Sequence, residues 1–275
     1  MRQQLVKLIN DQYVFGELAV TITDGLTEVP DTTDPAEEAR RLTDHLQRIN
    51  HDRHLRVRYR PEGTARTDDD LEQRFAGESL AHAGGIREVR LLDDHTGLLG
   101  IAPYMSPAHL AEPYVAAAFT LLGNVSKLII DLRSGRGGTP ETVAMICGYL
   151  VGPEPVHLQD MVDRAGNVQQ FWSYPTSRRL AENLDVAVLT SSQTFSGCEE
   201  LAYDLQALGR ATIIGETTGG GAHPCEVIAL DEHFEVTIPV ARSRNAVTGA
   251  NWEQVGVVPD LACPAERALE EARAR

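Results

Sequence analysis

Residues 194–224 read TFSGCEELAYDLQALGRATIIGETTGGGAHP and hold the densest set of groups able to do chemistry. Ser196 stands before Gly197 where a helical pattern begins. With Glu199 three residues on, it also matches the capping box S-x-x-E, and a helix cap would explain that pair by itself. Three features favour a nucleophile. The serine leaves a buried strand through a short loop, where α/β sheets present catalytic groups. Gly197 keeps the hydroxyl approachable. The N-terminal amides of the helix can stabilise a developing oxyanion. Cys198, a rival nucleophile, is expected to face inward as a small apolar side chain. A second glycine segment, DLRSGRGGTP (131–140), joins an apolar strand to a helix and lets backbone N–H groups approach a ligand. It has neither the Walker Lys-Ser/Thr nor G-x-G-x-x-G, so it is not read as a phosphate loop.

These groups need elements to hold them. KLIIDLR, DVAVLTS and ATIIGE are near-continuous apolar runs, the mark of strands buried on both faces. GRGGTPETVAMICGYLVG and SGCEELAYDLQALG read as helices between them, and SPAHLAEPYVAAAFTLLG as a helix before them. This order argues for an α/β fold with a parallel βαβ core. IREVRLL and LLGIAPYM flank DDHTG as a hairpin. PVHLQDMVDR with NVQQFWSY, and PCEVIAL with EVTIPVAR, read as antiparallel additions. Upstream, LVKLINDQYV and DPAEEARRLTDHLQRIN carry helical spacing, the second opened by Asp-Pro. HLRVRYRP alternates as a strand with one wet face. TARTDDDLEQ is expected to loop outward, LEQRFAGESLAHAGG reads as a helix ending at glycine, and CPAERALEEARAR closes the chain as a short helix. The boundaries drawn are an N-terminal helical subdomain over 1–65 and an α/β core over 66–275.

The turn after LIIDLR, then Ser-x-x-Glu opening a helix, then GRATIIGETTGGG and the closing WEQVGVVPD, resemble the C-terminal-processing (tail-specific) serine peptidase superfamily. The branch resembled holds the tricorn core and the modules of interphotoreceptor retinoid-binding protein. The likeness covers most of residues 85–262. It implies a ClpP/crotonase-like parallel-sheet core. Residues 61–85 are too few for the PDZ domain that many relatives insert, so none is expected. By this resemblance Ser196 falls on the nucleophile, and Gly137 and Gly197 on the oxyanion-binding amides. The lysine that activates serine in many relatives would fall on Gly221, and no lysine occurs from 211 to 240. The tricorn-like alternative uses a histidine and a glutamate, which here match His54 as general base and Glu253 as its partner. The neighbour of that histidine is a serine in relatives and Arg53 here. His223, just past the lysine position, is a second candidate for base or substrate contact. Glu199 and Glu200 read as cap and first-turn charges, and Glu216 as a brace of the glycine loop. The remaining histidines read as surface groups. Phe171, Trp172 and Tyr174 cover the core or line a pocket.

The 275 residues include 42% hydrophobic and 24% charged, an ordinary globular composition, with a formal net charge of −15. That charge disfavours nucleic acid as a partner. No apolar run approaches a membrane span, no export segment is evident at the start, and the cysteines show neither CxxC pairing nor zinc spacing. A cytoplasmic protein with reduced thiols and neither metal nor organic cofactor is expected. Its partner would be a peptide or small acyl substrate, with a homo-oligomer left open. Serine peptidase chemistry leads. Two readings stand beside it: a non-catalytic retinoid-like binding module, and an acyl-transfer enzyme acting on a non-peptide metabolite.

Overall fold

The structure is a computed structural model and describes residues 1–177, 179–181 and 183–275. In chain order the elements are α1 (Arg2–Gln12), α2 (Gly16–Thr23), α3 (Pro35–Leu46), β1 (Arg56–Tyr59), α4 (Asp68–His82), β2 (Ile86–Leu91), β3 (Thr96–Ile101), α5 (Ala108–Leu121), β4 (Lys127–Asp131), α6 (Pro140–Leu150), β5 (His157–Asp163), β6 (Val168–Trp172), β7 (Asp185–Thr190), α7 (Gly197–Ala207), β8 (Thr212–Gly215), β9 (Cys225–Ala229), β10 (Phe234–Pro239), β11 (Ala241–Asn245), β12 (Leu261–Ala262) and α8 (Ala268–Ala274). Two compact units form. One gathers Met1–Arg74, Met161–Gln169 and His223–Ser243; the other gathers Phe75–Asp160, Gln170–Ala222 and Arg244–Arg275.

In the first unit, α1, α2 and α3 bury their apolar stripes against an antiparallel sheet of order β1-β10-β9. Asp34 caps α3 by accepting from the Ala36 N–H at 2.9 Å, with Pro35 at the first helical position, as the Asp-Pro pair foretells. Leu42 and Leu46 then face Leu55, Val57, Val236 and Ile238. Each such side chain, once buried, contributes roughly 1.5–3 kcal/mol. β1 meets β10 with Val57 opposite Val236.

The second unit is built on a six-stranded sheet of order β12-β8-β7-β4-β3-β2. Every pairing is parallel except β2–β3, which is the expected hairpin. Between its charged ends, β4 is apolar over Leu128–Ile130 because both its faces are covered. Leu128 and Ile130 pack among residues of α5, α6 and α7, while Ile129 packs with Ala268 and Ala272 of α8. A further sheet has the order β11-β5-β6. The whole is the expected α/β arrangement: a mostly parallel central sheet with antiparallel additions.

The helix expected over LEQRFAGESLAHAGG begins three residues earlier, inside the stretch read as a loop. α4 opens at Asp68, inside TARTDDDLEQ, because Thr67 and Asp70 cap each other: the Asp70 N–H donates to Thr67 Oγ1 at 3.1 Å and the Thr67 N–H to Asp70 Oδ2 at 3.0 Å. The acidic run is thus a first turn favoured by the helix dipole. Among the described residues, no helix is long and apolar enough to cross a membrane.

Candidate functional site

β7 ends at Thr190, and five residues carry the chain to Ser196 at the N-terminus of α7. That turn is pinned to the neighbouring loop after β4. Thr194 Oγ1 donates to the Leu132 carbonyl at 2.9 Å, Ser191 Oγ to the Arg133 carbonyl at 2.7 Å, and the Phe195 N–H to the Gly135 carbonyl at 3.2 Å. Held this way, Ser196 adopts φ +54°. A non-glycine residue in so sparsely populated a region costs on the order of 1–3 kcal/mol and persists only where its surroundings impose it.

Gly137 lies directly against this serine. A methyl group on Gly137 would come within 3.0 Å of Ser196 Cβ, 3.3 Å of its Oγ and 3.7 Å of the Gly197 nitrogen, and Gly137 itself has φ +138°. Only glycine permits both that conformation and that approach. Gly197 is equally constrained, since a side chain there would strike the Gly138 backbone at 2.6 Å. The loop 131–140 and the start of α7 therefore place Gly137, Ser196 and Gly197 together. Cys198 faces inward as expected: it is fully buried, and burial first, then the Glu199 charge, pushes its thiol up to about 12.

Glu199 does more than the cap-and-charge role expected of it. It is fully buried and accepts four hydrogen bonds: from the Ser196 N–H at 2.8 Å, the Gly220 N–H at 2.7 Å, the Gly221 N–H at 2.9 Å and Thr218 Oγ1 at 2.5 Å. One carboxyl group thus fixes both the serine backbone and the TTGGG segment after β8. Glu216 does not brace that segment, contrary to the expectation. It accepts from the N–H groups of Ser192 at 2.9 Å and Ala265 at 3.3 Å. β8 ends one residue before Glu216, so its carboxylate meets the 191–193 turn instead.

The closing motif clamps the same glycines. Trp252 Nε1 donates to the Gly221 carbonyl at 2.8 Å, the Gln254 N–H to the Gly220 carbonyl at 2.9 Å, and the Val257 N–H to Thr218 Oγ1 at 2.7 Å. Glu253 Oε2 accepts from the Ala222 N–H at 2.6 Å. Within the second unit the structure thus gathers Ser196, Gly137, Gly197 and Glu253 around two glycine segments.

His54 and His223 belong to the first unit, where both are buried around Asp52. Asp52 Oδ2 accepts from Tyr13 Oη at 2.8 Å and pairs with His223 Nδ1 at 3.3 Å, while its Oδ1 accepts the His54 N–H at 3.0 Å. Phe15 meets the His223 ring edge-on at 5.1 Å between centroids. Burial drives the His54 imidazole down to about 3, helped by Arg56, His223 and Arg58 and opposed by Asp52. Asp52 behaves in the other sense. Burial alone would raise its carboxyl, but the bonds and charge of His223, with Tyr13 and His54, hold it below its ordinary value. Asp52 was not singled out from the sequence; its only signal there is the D-x-H spacing in HDRH. Elsewhere His45 is buried rather than a surface group, with Nε2 bonded to the Asp24 carbonyl at 2.8 Å.

A family model described as Peptidase family S41 matches residues 96–263. Carboxyl-terminal-processing peptidase 2, chloroplastic, from Arabidopsis thaliana is 30% identical over 147 residues, 53% of this chain and 28% of that relative's own length. Similar solved structures include a lipoprotein from Streptococcus agalactiae (TM-score 0.68, 14% identity, 99% of this chain and 93% of that one). A second is a photosystem II D1 C-terminal processing protease (TM-score 0.57, 15% identity, 96% and 92%). A third is the tricorn protease (TM-score 0.59, 15% identity, 100% and 35%).

Proposed function

The chain belongs to peptidase family S41, and on that premise we propose that it is a serine-type peptidase cleaving peptide bonds through an acyl-enzyme on Ser196. The observation that carries the proposal is Gly137 packed against the hydroxyl of a serine held in a strained strand-to-helix turn. Such strain clusters at functional sites, active sites among them.

In this reading Ser196 Oγ attacks the scissile carbonyl carbon, and the amides of Gly137 and Gly197 receive the charge that develops on its oxygen. His54 takes the serine proton as general base and delivers it to the leaving amine. Water then repeats the sequence in the second half-reaction. At neutral pH the His54 ring is neutral, the form a general base needs, and its burial makes it a weaker base than a free imidazole. The Asp52 carboxylate beside it opposes the burial that disfavours its protonated form. Glu253 supports the base as a second acidic group. One observation favours His223 instead: its Nδ1 lies 3.3 Å from Asp52 Oδ2, the carboxylate–histidine pairing that orients a general base. A cytoplasmic setting is proposed, in keeping with the buried, unbridged cysteines Cys147 and Cys198.

The test is reaction with a fluorophosphonate probe, read by mass spectrometry. Labelling at Ser196, lost in Ser196→Ala, supports the proposal, and a folded protein that does not label refutes it. Peptide cleavage surviving His54→Ala but not His223→Ala would move the base to His223.

A further inference from the structure

Apart from the Ser196 turn, the second unit has a cavity of about 580 Å³ at the carboxyl ends of β3, β4, β7 and β8, and Ser196 does not line it. The crevice beyond the carboxyl ends of parallel strands is where open α/β sheets take ligands. Half of the charged side chains lining this cavity have ion-pair partners. Arg133 grips Asp131 with bonds of 2.8 and 2.6 Å, and Glu88 pairs with Arg90 at 3.0 Å. Three charges remain: the Arg87 guanidinium on one side, and the Glu216 and Glu266 carboxylates on the other. Among the described residues none of the three has an ion-pair partner.

Arg87 is placed by a distortion of its strand. β2 pairs Ile86 with Ile101 and then Glu88 with Gly100, which leaves Arg87 as the extra residue of a β-bulge. Bulges re-aim side chains beside binding sites. The facing position, Gly100, also lines the cavity, and a side chain there would crowd Glu88 Cβ at 3.2 Å. Across the sheet, Glu216 is held by the backbone N–H groups of Ser192 and Ala265 and by the Ser192 side chain, the Ser192 backbone bond first, and these keep its carboxyl below the ordinary range and so charged. Its bond to Ala265 N sets Glu266 beside it.

The spacing of these charges selects the ligand. β2 and β8 are four strand intervals apart, about 19 Å at the usual spacing. Arginine and glutamate side chains reach across roughly half of that. The remaining gap of about 10 Å matches an extended peptide of about three residues and exceeds the span of a single amino acid.

We propose that this cavity binds short peptides free at both ends, with the terminal carboxylate on Arg87 and the terminal ammonium on Glu216 and Glu266. The site stands on charge and spacing and does not depend on the reactivity of Ser196. Ser134 and Gln193, in its wall, lie three residues before Gly137 and Ser196 respectively, so an occupant rests on the two loops that carry those groups.

Calorimetric titration of the Ser196→Ala protein, which cannot consume a peptide through that serine, tests the proposal. The probes are trialanine, its N-acetyl form, its C-terminal amide and free alanine. Trialanine should bind saturably, and each blocked form and free alanine at least about tenfold more weakly, the loss of one charge-assisted contact. Adding Arg87→Gln should weaken trialanine to the level of its amide and abolish the effect of amidation. Adding Glu266→Gln should weaken trialanine and shrink the effect of acetylation. No saturable binding, equal binding of free and blocked peptides, free alanine matching trialanine, or indifference to Arg87→Gln each overturns it. The blocked peptides decide the matter on the parent protein even if a variant fails to fold.

Discussion

Glu199→Gln separates two opposed effects on one buried carboxyl. Four donors favour its ionised form and burial opposes it, and burial wins, raising the group from 4.5 to about 7. A rise of that size corresponds to about 3 kcal/mol. Its sign follows from proton uptake. Between the two values the native chain holds a proton that the unfolded chain has released. The contribution is therefore fully present below about pH 4.5 and is lost as pH rises through about 7. Glutamine does not titrate. Its single oxygen can serve only one of the two donor pairs, and its NH2 then confronts the Gly220 N–H, or those of Ser196 and Gly221, at a cost of about 1–3 kcal/mol. The parent should accordingly be the more stable protein in mild acid, and the gap should close or reverse by about pH 8. Urea unfolding of both proteins at the two pH values measures this. Other titrating groups cancel in the difference. Parallel stability profiles, or a gap that widens with pH, would show that the four donors outweigh burial and would refute the reasoning.

Gly137→Ala should lower kcat for peptide cleavage by roughly 10²–10³-fold, because the methyl would lie 3.3 Å from Ser196 Oγ on a backbone at φ +138°; steady-state kinetics on a protein with unchanged circular dichroism checks it. Asp204→Asn should gain stability over the parent above neutral pH, since burial holds the Asp204 carboxyl above its ordinary value and the parent loses stability as pH rises through that raised value; thermal unfolding at acid and alkaline pH reads the difference. Glu235→Gln should cost about 1–3 kcal/mol near neutral pH, because it removes the buried anion that binds Arg60 at 2.7 Å and Arg74 at 3.0 Å. That cost should shrink in acid: burial alone would raise the Glu235 carboxyl, but these arginines hold it below its ordinary value, so its contribution is lost only as pH falls through the lowered value.

The central sheet was legible because its strands are buried on both faces. KLIID has no polar position to break the apolar run, and its neighbours on either side, β3 and β7, complete the pattern. The place of Ser196 at the start of α7 was legible from its capping pattern after such a strand, and that position is what makes it a candidate nucleophile. Other parts of the chain carry no local mark. Nothing in HLRVRYRP names its partner, yet Arg56 pairs with Thr237, far along the chain. A two-residue period states which face is wet, not which strand lies alongside. The buried polar groups were harder still. Asp52 and Glu199 look like surface acids in sequence, because acids usually are. What marks them is the set of donors that folding brings: Tyr13 and His223 to one, three backbone N–H groups and a threonine hydroxyl to the other.

α7 shows how the site and the stability of the protein are linked. Glu199, Glu200 and Asp204 are all buried on this one helix. The first two lie in its first turn, where the helix dipole favours negative charge. Asp204 lies beyond that reach and relies on Gln159 Nε2 at 2.7 Å and Asn245 Nδ2 at 2.9 Å, both on the same oxygen. Glu200 stands one turn before it, so two like charges would be buried four residues apart. Burial raises both carboxyls, and the charges of Asp204 and Glu141 add to the rise of Glu200. As pH rises and these groups must ionise, the loss of stability falls on the helix that presents Ser196. His54 is neutral across that whole range because its ring loses its proton near 3. On the proposed mechanism a histidine base only gains competence as it loses its proton, so an alkaline loss of activity at Ser196 would follow from ionisation of the acids inside α7.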